Sequence, residues 1–393
     1  MSNEDVAVNV GQRVATARKL AGWTQVQLAL HARYSVSAVR AVEQGREPAT
    51  PAFIAAVARA LGLEPEQLTG QPYSDDEGGS LEGVAELRAV IAEGPSIRIL
   101  APEDGADLAG ELRELERHYR EDRGKIALAR LPVLLRQLYG TLDDTTSQAE
   151  KSRLFSTIAA AWVLAERLCR RFGLLTLAIP TLDRLDTVAE HADDPLYRSQ
   201  AAAKRARVLM SYDVYDTPRV ETALNQIVGT GTASTAVQGY VHLCGAIVAA
   251  RGRDRDTALE HLGEADHLAS QVHSERDEYG TLFGPQNVAI HRTAVELECG
   301  DPGRAAQLGD NTHLTDEVAP PRQGHHWQDT ARAWLLAGQP NHALRALNRA
   351  RVAAPQQTRH HPQVRETVRL IAEAERRRSD SLAGFAQFLT SGR

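Results

Sequence analysis

The amino end of the chain is punctuated so densely by helix starts and stops that only short helices fit there. Val10, Val14, Ala17 and Leu20 or Ala21 recur at helical spacing, and Gly22 ends the run. Thr24 is placed to cap a second helix, Gln25 to His31, with Trp23 and Leu28 as a hydrophobic staple across the cap. Ser35 caps a third, Val36 to Gln44, which Gly45 ends; Tyr34 and Val39 repeat the staple. Thr50-Pro51 is a cap followed by proline at the first helical position, and the helix it opens buries Phe53, Ile54, Val57 and Leu61. Glu64 to Leu68 gives a short fifth helix. Five short helices, the second and third joined by a tight turn, describe a helix-turn-helix unit with Val14, Leu28, Ala29, Val39 and Val42 in its core.

The charge is distributed accordingly. The net charge of −6 argues against a polyanion binder along the whole length. Yet from Val10 to Leu61 the basic residues Arg13, Arg18, Lys19, Arg33, Arg40, Arg46 and Arg59 face only Glu43 and Glu47. The stretch from Asp75 to Asp107 is strongly acidic. A basic head on an acidic body is the pattern of a DNA-binding module attached to a regulatory domain.

The run from Gly11 to Ala29 (GQRVATARKLAGWTQVQLA), then Ser35 to Gly45 (SVSAVRAVEQG) and Ala58 to Gly62 (ARALG), resembles the Cro/phage-repressor (XRE) family of helix-turn-helix regulators. The resemblance implies that the helix beginning at Ser35 lies in the major groove of double-stranded DNA. Position then suggests roles. Thr24 and Gln25 open the second helix, where backbone N–H groups and the Gln25 amide suit a phosphate. Ser35, Val36, Ser37, Arg40 and Ala41 occupy the early third helix, where base edges would be met, with Arg40 able to fork onto guanine and Val36 to pack on a thymine methyl. Arg46, just past that helix, is placed for a backbone phosphate. Glu43 falls where the family holds a structural acid, and Arg18 is the candidate partner. Arg33 stands where the family commonly has glycine, and a left-handed backbone there costs about 1 kcal/mol.

Residues 71–80 read as an acidic, glycine-bearing linker, and 71–103 as a join with one connecting helix. Ile97–Leu100 is a short strand or a buried loop. From about residue 104 to 393 the pattern is of helix pairs. In Gly324–Gln357, Trp327, Ala331 and Trp334 precede Gly338, followed by Ala343, Leu347, Ala350 and Pro355. That spacing resembles the tetratricopeptide (TPR) repeat, whose small residues sit where helices cross closely. Ala246, Ala249, Ala258, Leu262 and Ala265 mark a second unit, and Thr293, Cys299-Gly300 and Ala305 a third. Earlier pairs are expected around 111–142, 153–190 and 195–228, with Pro132 and Pro180 inside apparent helices. The fold class is therefore all-α: a five-helix head over 1–70 and a TPR-like α-solenoid of about six helix pairs over 104–393, curved into a groove, with Phe385, Phe388 and Leu389 capping its end.

Head and body together resemble XRE-type regulators with TPR bodies, including the peptide-sensing RRNPP group; the stretch Phe283–Arg292 also resembles a recurrent segment of such regulators. The resemblance implies a homodimer whose paired heads are rearranged by a peptide or small-molecule effector in the groove. Tyr240, Asn287, His325, Gln328 and Arg332 fall at inward-facing repeat positions, and an asparagine amide suits an extended peptide. A protein partner, or no ligand, stays open. The rival reading is an interaction scaffold or antitoxin-like partner with autoregulatory or no DNA binding.

No enzyme signature is present: no phosphate loop with its lysine, no His-Glu-x-x-His, no nucleophile elbow. Gly229–Ser234 reads as a turn between helix pairs. The pairs His325-His326 and His360-His361 are expected on a solvated surface, and no metal or cofactor is expected. Cys169, Cys244 and Cys299 fit neither a disulfide framework nor a metal site, which suits a cytoplasmic protein. The strongly apolar stretch around Cys244–Ala250 is far short of the ~20 residues of a membrane helix, and no secretory signal is readable.

Overall fold

A computed structural model describes residues 10–63, 65–69, 81–272, 277–374 and 380–390. Among them every regular element is a helix and no β-strand occurs. The head comprises α1 (Val10–Leu20), α2 (Gln25–Ala32), α3 (Val36–Glu43), α4 (Pro51–Leu61) and α5 (Pro65–Thr69). Its caps are those the sequence predicts. Thr24 accepts from Gln27 N while the Gln27 side chain accepts from Thr24 N, a reciprocal box; Ser35 accepts from Ala38 N and Thr50 from Phe53 N. The apolar faces meet in one core around Val14, Leu28, Val39, Phe53 and Val57, with Trp23 and Tyr34 packed at its margin. Arg33 does take the left-handed conformation, at φ 56°.

The residues 71–80 of the expected linker lie outside those described. α6 (Val84–Glu93), read from sequence as part of the join, buries Val84, Leu87, Val90 and Ile91 in the same core as the first body helices. Glu93 clamps it there, accepting from both terminal nitrogens of Arg136 at 2.6 and 2.7 Å. Ile97–Leu100 is the loop of the two alternatives: Ile97 is buried and Leu100 N donates to Arg136 O, with no strand formed.

Six helix pairs follow: α7 (Leu108–Arg120) with α8 (Gly124–Asp144), α9 (Gln148–Arg171) with α10 (Leu175–Ala189), α11 (Leu196–Leu209) with α12 (Thr217–Asn225), α13 (Thr232–Arg251) with α14 (Arg255–Gln271), α15 (Pro285–Glu298) with α16 (Pro302–Asn311), and α17 (Pro320–Leu336) with α18 (Pro340–Ala353). Pro132 and Pro180 both sit inside helices. The small residues named from sequence, Ala246, Ala258, Ala265, Ala305, Ala331, Ala343 and Ala350, are fully buried at the crossings. α19 (Pro355–His360), α20 (Pro362–Ala374) and α21 (Asp380–Thr390) close the chain, and Phe385, Phe388 and Leu389 do pack on the last pair.

The solenoid does not leave its groove open at the ends. Asp122, in the turn between α7 and α8, accepts from Gln356 N at 2.6 Å and Gln357 N at 3.0 Å, and Arg171 donates to it at 2.9 Å. Lys125 N donates to Gln356 Oε1, and Phe172 packs edge-on to His360. The first pairs thereby meet the segment after the sixth.

α13 is 20 residues long with a mean hydropathy of 1.2, long and apolar enough by composition to cross a bilayer, which the sequence reading overlooked by counting only its most apolar stretch. Most of it is buried in the body. Phe283 fills the space over Gly239 on this helix; a Cβ there would lie 2.0 Å from the Phe283 ring. Gly239→Ala is expected to lose about 1–3 kcal/mol by overpacking. An unchanged urea midpoint would contradict this close approach.

Candidate functional site

Two surfaces draw together the residues singled out from sequence. The first is the outer face of α3. Ser35, Ser37, Arg40 and Arg46 are exposed with the head seated on the body, as is Thr24. Val36 is half-buried against the head core. Ala41 departs from expectation: at 8% exposure it belongs to the core side of α3 with Val39 and Val42, so it is not a base-contact candidate. The Gln25 amide also departs, because it is already engaged: Nε2 donates to Glu43 Oε2 at 2.9 Å and Oε1 accepts from Arg40 Nε at 3.5 Å. Beneath this face lies the expected pair. Arg18 Nε donates to Glu43 Oε1 at 2.6 Å and Nη2 to Oε2 at 2.9 Å, while Arg18 Nη1 holds the Trp23 carbonyl. One carboxylate thus ties α1, α2 and α3 together and sets where the exposed face of α3 points.

The second is a cavity of about 300 Å³ between head and body. Its head wall is Val10, Ala49, Pro51, Ile54, Pro65 and Thr69, from α1, α4, α5 and the loop before α4. α4 also rests on the 3-10 turn Met210–Tyr212 after α11, Arg59 pairs with Asp213 beside that turn, and Arg253 lies over the Tyr34 ring at 5.3 Å. The body wall brings together four of the five groove residues named from sequence: Tyr240, Asn287, His325 and Arg332. Gln328 is not among them; it is buried, and its Nε2 donates to Thr358 Oγ1 at 3.3 Å. Asn287 lines the cavity, but both ends of its amide are taken, Nδ2 by the Leu282 carbonyl and Oδ1 by Arg322.

The adjacent histidines are not on a solvated surface. Neighbours on a helix point about 100° apart, so His325 reaches the cavity, 3.1 Å from Asp329 Oδ2, while His326 is fully buried with Nε2 donating to Gly309 O. His361 lines the cavity 5.7 Å from the His325 ring, and His360 is buried. Burial, reinforced by the charge of His325, lowers His361 to about 3. Burial likewise opposes ionisation of Asp329, yet His325 and Arg332 hold its carboxyl below the usual range. Arg332 donates to Glu298 at 2.8 Å and to Gln363 at 2.7 Å. No group of three or more His, Cys, Asp or Glu side chains among the described residues is arranged for a metal ion.

Sequence reasoning missed Arg207, His291, Arg322, Asp329 and His361. His291 was within reach, four residues after Asn287 and so on the same face of α15. Arg322 lies in the first turn of α17, ahead of the repeat signature, and Arg207 in a pair with no clear repeat pattern, so nothing in the periodicity marks either.

Residues 9–69 match a family model described as a helix-turn-helix domain. No curated protein matches the chain. Among solved structures, the chain is similar to Bacillus thuringiensis PlcR in complex with the peptide PapR7 and DNA, at 11% identity and TM-score 0.35, covering 87% of this chain and 100% of that one. It is also similar to BtubC (BKLC) from P. vanneervenii, at 14% identity and TM-score 0.35, covering 64% and 92%. The amino-terminal head of this chain is a helix-turn-helix domain, carried on an all-α body of stacked helix pairs.

Proposed function

We propose that the chain is a cytoplasmic, sequence-specific DNA-binding transcriptional regulator. The head, residues 1–70, binds an operator; the body, residues 104–393, dimerises and senses a peptide or small-molecule effector that controls DNA binding. The observation that carries this reading is the exposed row Ser35, Ser37 and Arg40 on α3, flanked by Arg46, in a head whose other elements wall the cavity. With α1, α4 and α5 forming that wall, a ligand inside bears directly on how the head is seated. In a dimer, two such heads would address half-sites about one helical turn, or a multiple, apart.

The test is fluorescence anisotropy on the DNA upstream of the chain's own gene, titrated with salt. Arg40→Ala is expected to lose sequence preference by about 1–3 kcal/mol, whereas Arg46→Ala weakens all DNA alike and lowers the salt slope by about one. If both variants bind as the parent does, these roles are wrong.

A further inference from the structure

The cavity is lined by seven arginines, and five of them have a carboxylate partner: Arg167 has Asp277, Arg170 has Glu166, Arg171 has Asp122, and Arg251 and Arg332 share Glu298. Arg207 and Arg322 do not. Among the described residues no carboxylate oxygen lies within 4.0 Å of either guanidinium. Arg322 donates only to a neutral group, Asn287 Oδ1, and its Nε has no partner; the neighbouring His291 Nδ1–H is turned to the Asn287 carbonyl at 2.8 Å. Burying a cation against neutral partners alone is costly. Here a second cation, Arg207, acts on the same place: burial and the Arg207 charge together lower Arg322 to about 10. Burial, with Arg322 and Arg207, keeps His291 neutral. Asp329, the acid whose charge opposes the lowering of Arg322, is already engaged by His325 and Arg332.

A further polar group is unpaired at the same site. Tyr240 is 4% exposed, lines the cavity, and its hydroxyl has no hydrogen-bond partner. Buried hydroxyls are normally satisfied. Two guanidinium groups without acids and an orphaned O–H donor are the components of an oxyanion receptor.

We propose that Arg207, Arg322 and Tyr240 form an anion subsite that takes a carboxylate or phosphate group of the effector. The subsite rests on the reading of the cavity as the effector site, and it restricts the effector to molecules with an oxyanion. The guanidinium groups supply charge-assisted N–H donors and the Tyr240 hydroxyl a third donor. Asn287 Oδ1 holds Arg322 in place while the Asn287 carbonyl takes the His291 Nδ1–H, so Asn287 is a positioning residue rather than a reader of peptide bonds.

The experiment is thermal unfolding of the full chain in chloride, inorganic phosphate or citrate at matched ionic strength, phosphate and citrate separating the two oxyanion classes. At least one of these two is expected to raise Tm in a saturable manner, as ligand binding to the folded state requires. Arg207→Gln and Arg322→Gln should each raise the apparent dissociation constant at least tenfold, and Tyr240→Phe severalfold. Arg46→Gln, which removes a phosphate-binding candidate on the head, should leave the response intact. Because losing an uncompensated cation relieves repulsion, Arg207→Gln should also unfold no earlier than the parent in chloride. A response absent from both anions, or undiminished in the two arginine variants, overturns the subsite. Anisotropy with upstream DNA is read in parallel. Anion binding that leaves DNA affinity unchanged would defeat the regulatory reading and spare the subsite, whereas intact DNA binding with no anion response would do the reverse.

Discussion

Glu43→Ala is expected to abolish DNA binding while leaving the helical body folded. The Glu43 side chain is 4% exposed and that of Arg18 11%, so the ion pair is largely withdrawn from water. Removing one partner of such a pair leaves an uncompensated charge and typically costs about 3–5 kcal/mol. A head of this size has little more than that to lose. The damage is also directed. Without the carboxylate, Arg18 has only the Trp23 carbonyl, the Gln25 Nε2 loses its acceptor, and α3 loses its polar tie to α1 and keeps only the 3.5 Å Arg40–Gln25 contact to α2. The measurement is anisotropy on upstream DNA beside far-UV circular dichroism. Binding should vanish while most of the helical signal survives, since the body has its own cores. Arg18→Ala in the same chain should recover part of the loss, because no buried charge is then left alone. Wild-type affinity in Glu43→Ala would refute the assignment of Glu43 as the organiser of the reading face.

What the sequence made legible is what short-range physics governs. Thr24, Ser35 and Thr50-Pro51 act through backbone donors at most three residues away, so their caps were readable. The small residues of the helix crossings were readable because the repeat requires them there. Ala41 was misplaced for a physical reason: alanine costs little on either side of a helix, so its neighbours Ser37 and Arg40 pulled it onto the exposed face. The cavity itself was only half legible. Periodicity points Tyr240, His325 and Arg332 inward, but whether the groove is open or ringed depends on Asp122 reaching Gln357, 235 residues away. The head wall depends on α4 settling on the turn after α11. Such long-range contacts leave no trace in local spacing, and neither does the pairing of arginines with acids, which decides that Arg207 and Arg322 are the two left over.

The same burial that hides the histidines makes the body acid-sensitive in a defined window. His242 and His326 are lowered to about 4 and His361 to about 3, in each case chiefly by burial. His261 adds to the effect on His242, from a ring nitrogen 3.0 Å away, while Glu264 opposes it. His326 also feels Asp329, which opposes the shift, and Arg322 and His325, which reinforce it. His361 faces His325, Asp329 and Arg332. In each case the folded chain binds the proton less readily than the unfolded chain, whose histidines titrate near 6.5. Stability is therefore fully present above about pH 7 and declines as pH falls below 6.5, by up to about 2 kcal/mol per histidine at pH 5. Burial opposes ionisation of Glu166, but Arg170 and Lys204 hold it at about 2, so it stays ionised throughout the window and does not offset the loss; Glu116 and Asp122, raised chiefly by burial, work against that loss and temper the drop. Tm should be flat between pH 8 and 7 and drop by several degrees between 6.5 and 5. His326→Gln keeps a donor for the Gly309 carbonyl but cannot take up a proton, so it should flatten part of that drop. A Tm constant down to pH 5, or an identical slope in His326→Gln, would show that these rings are not held neutral by the packing around them.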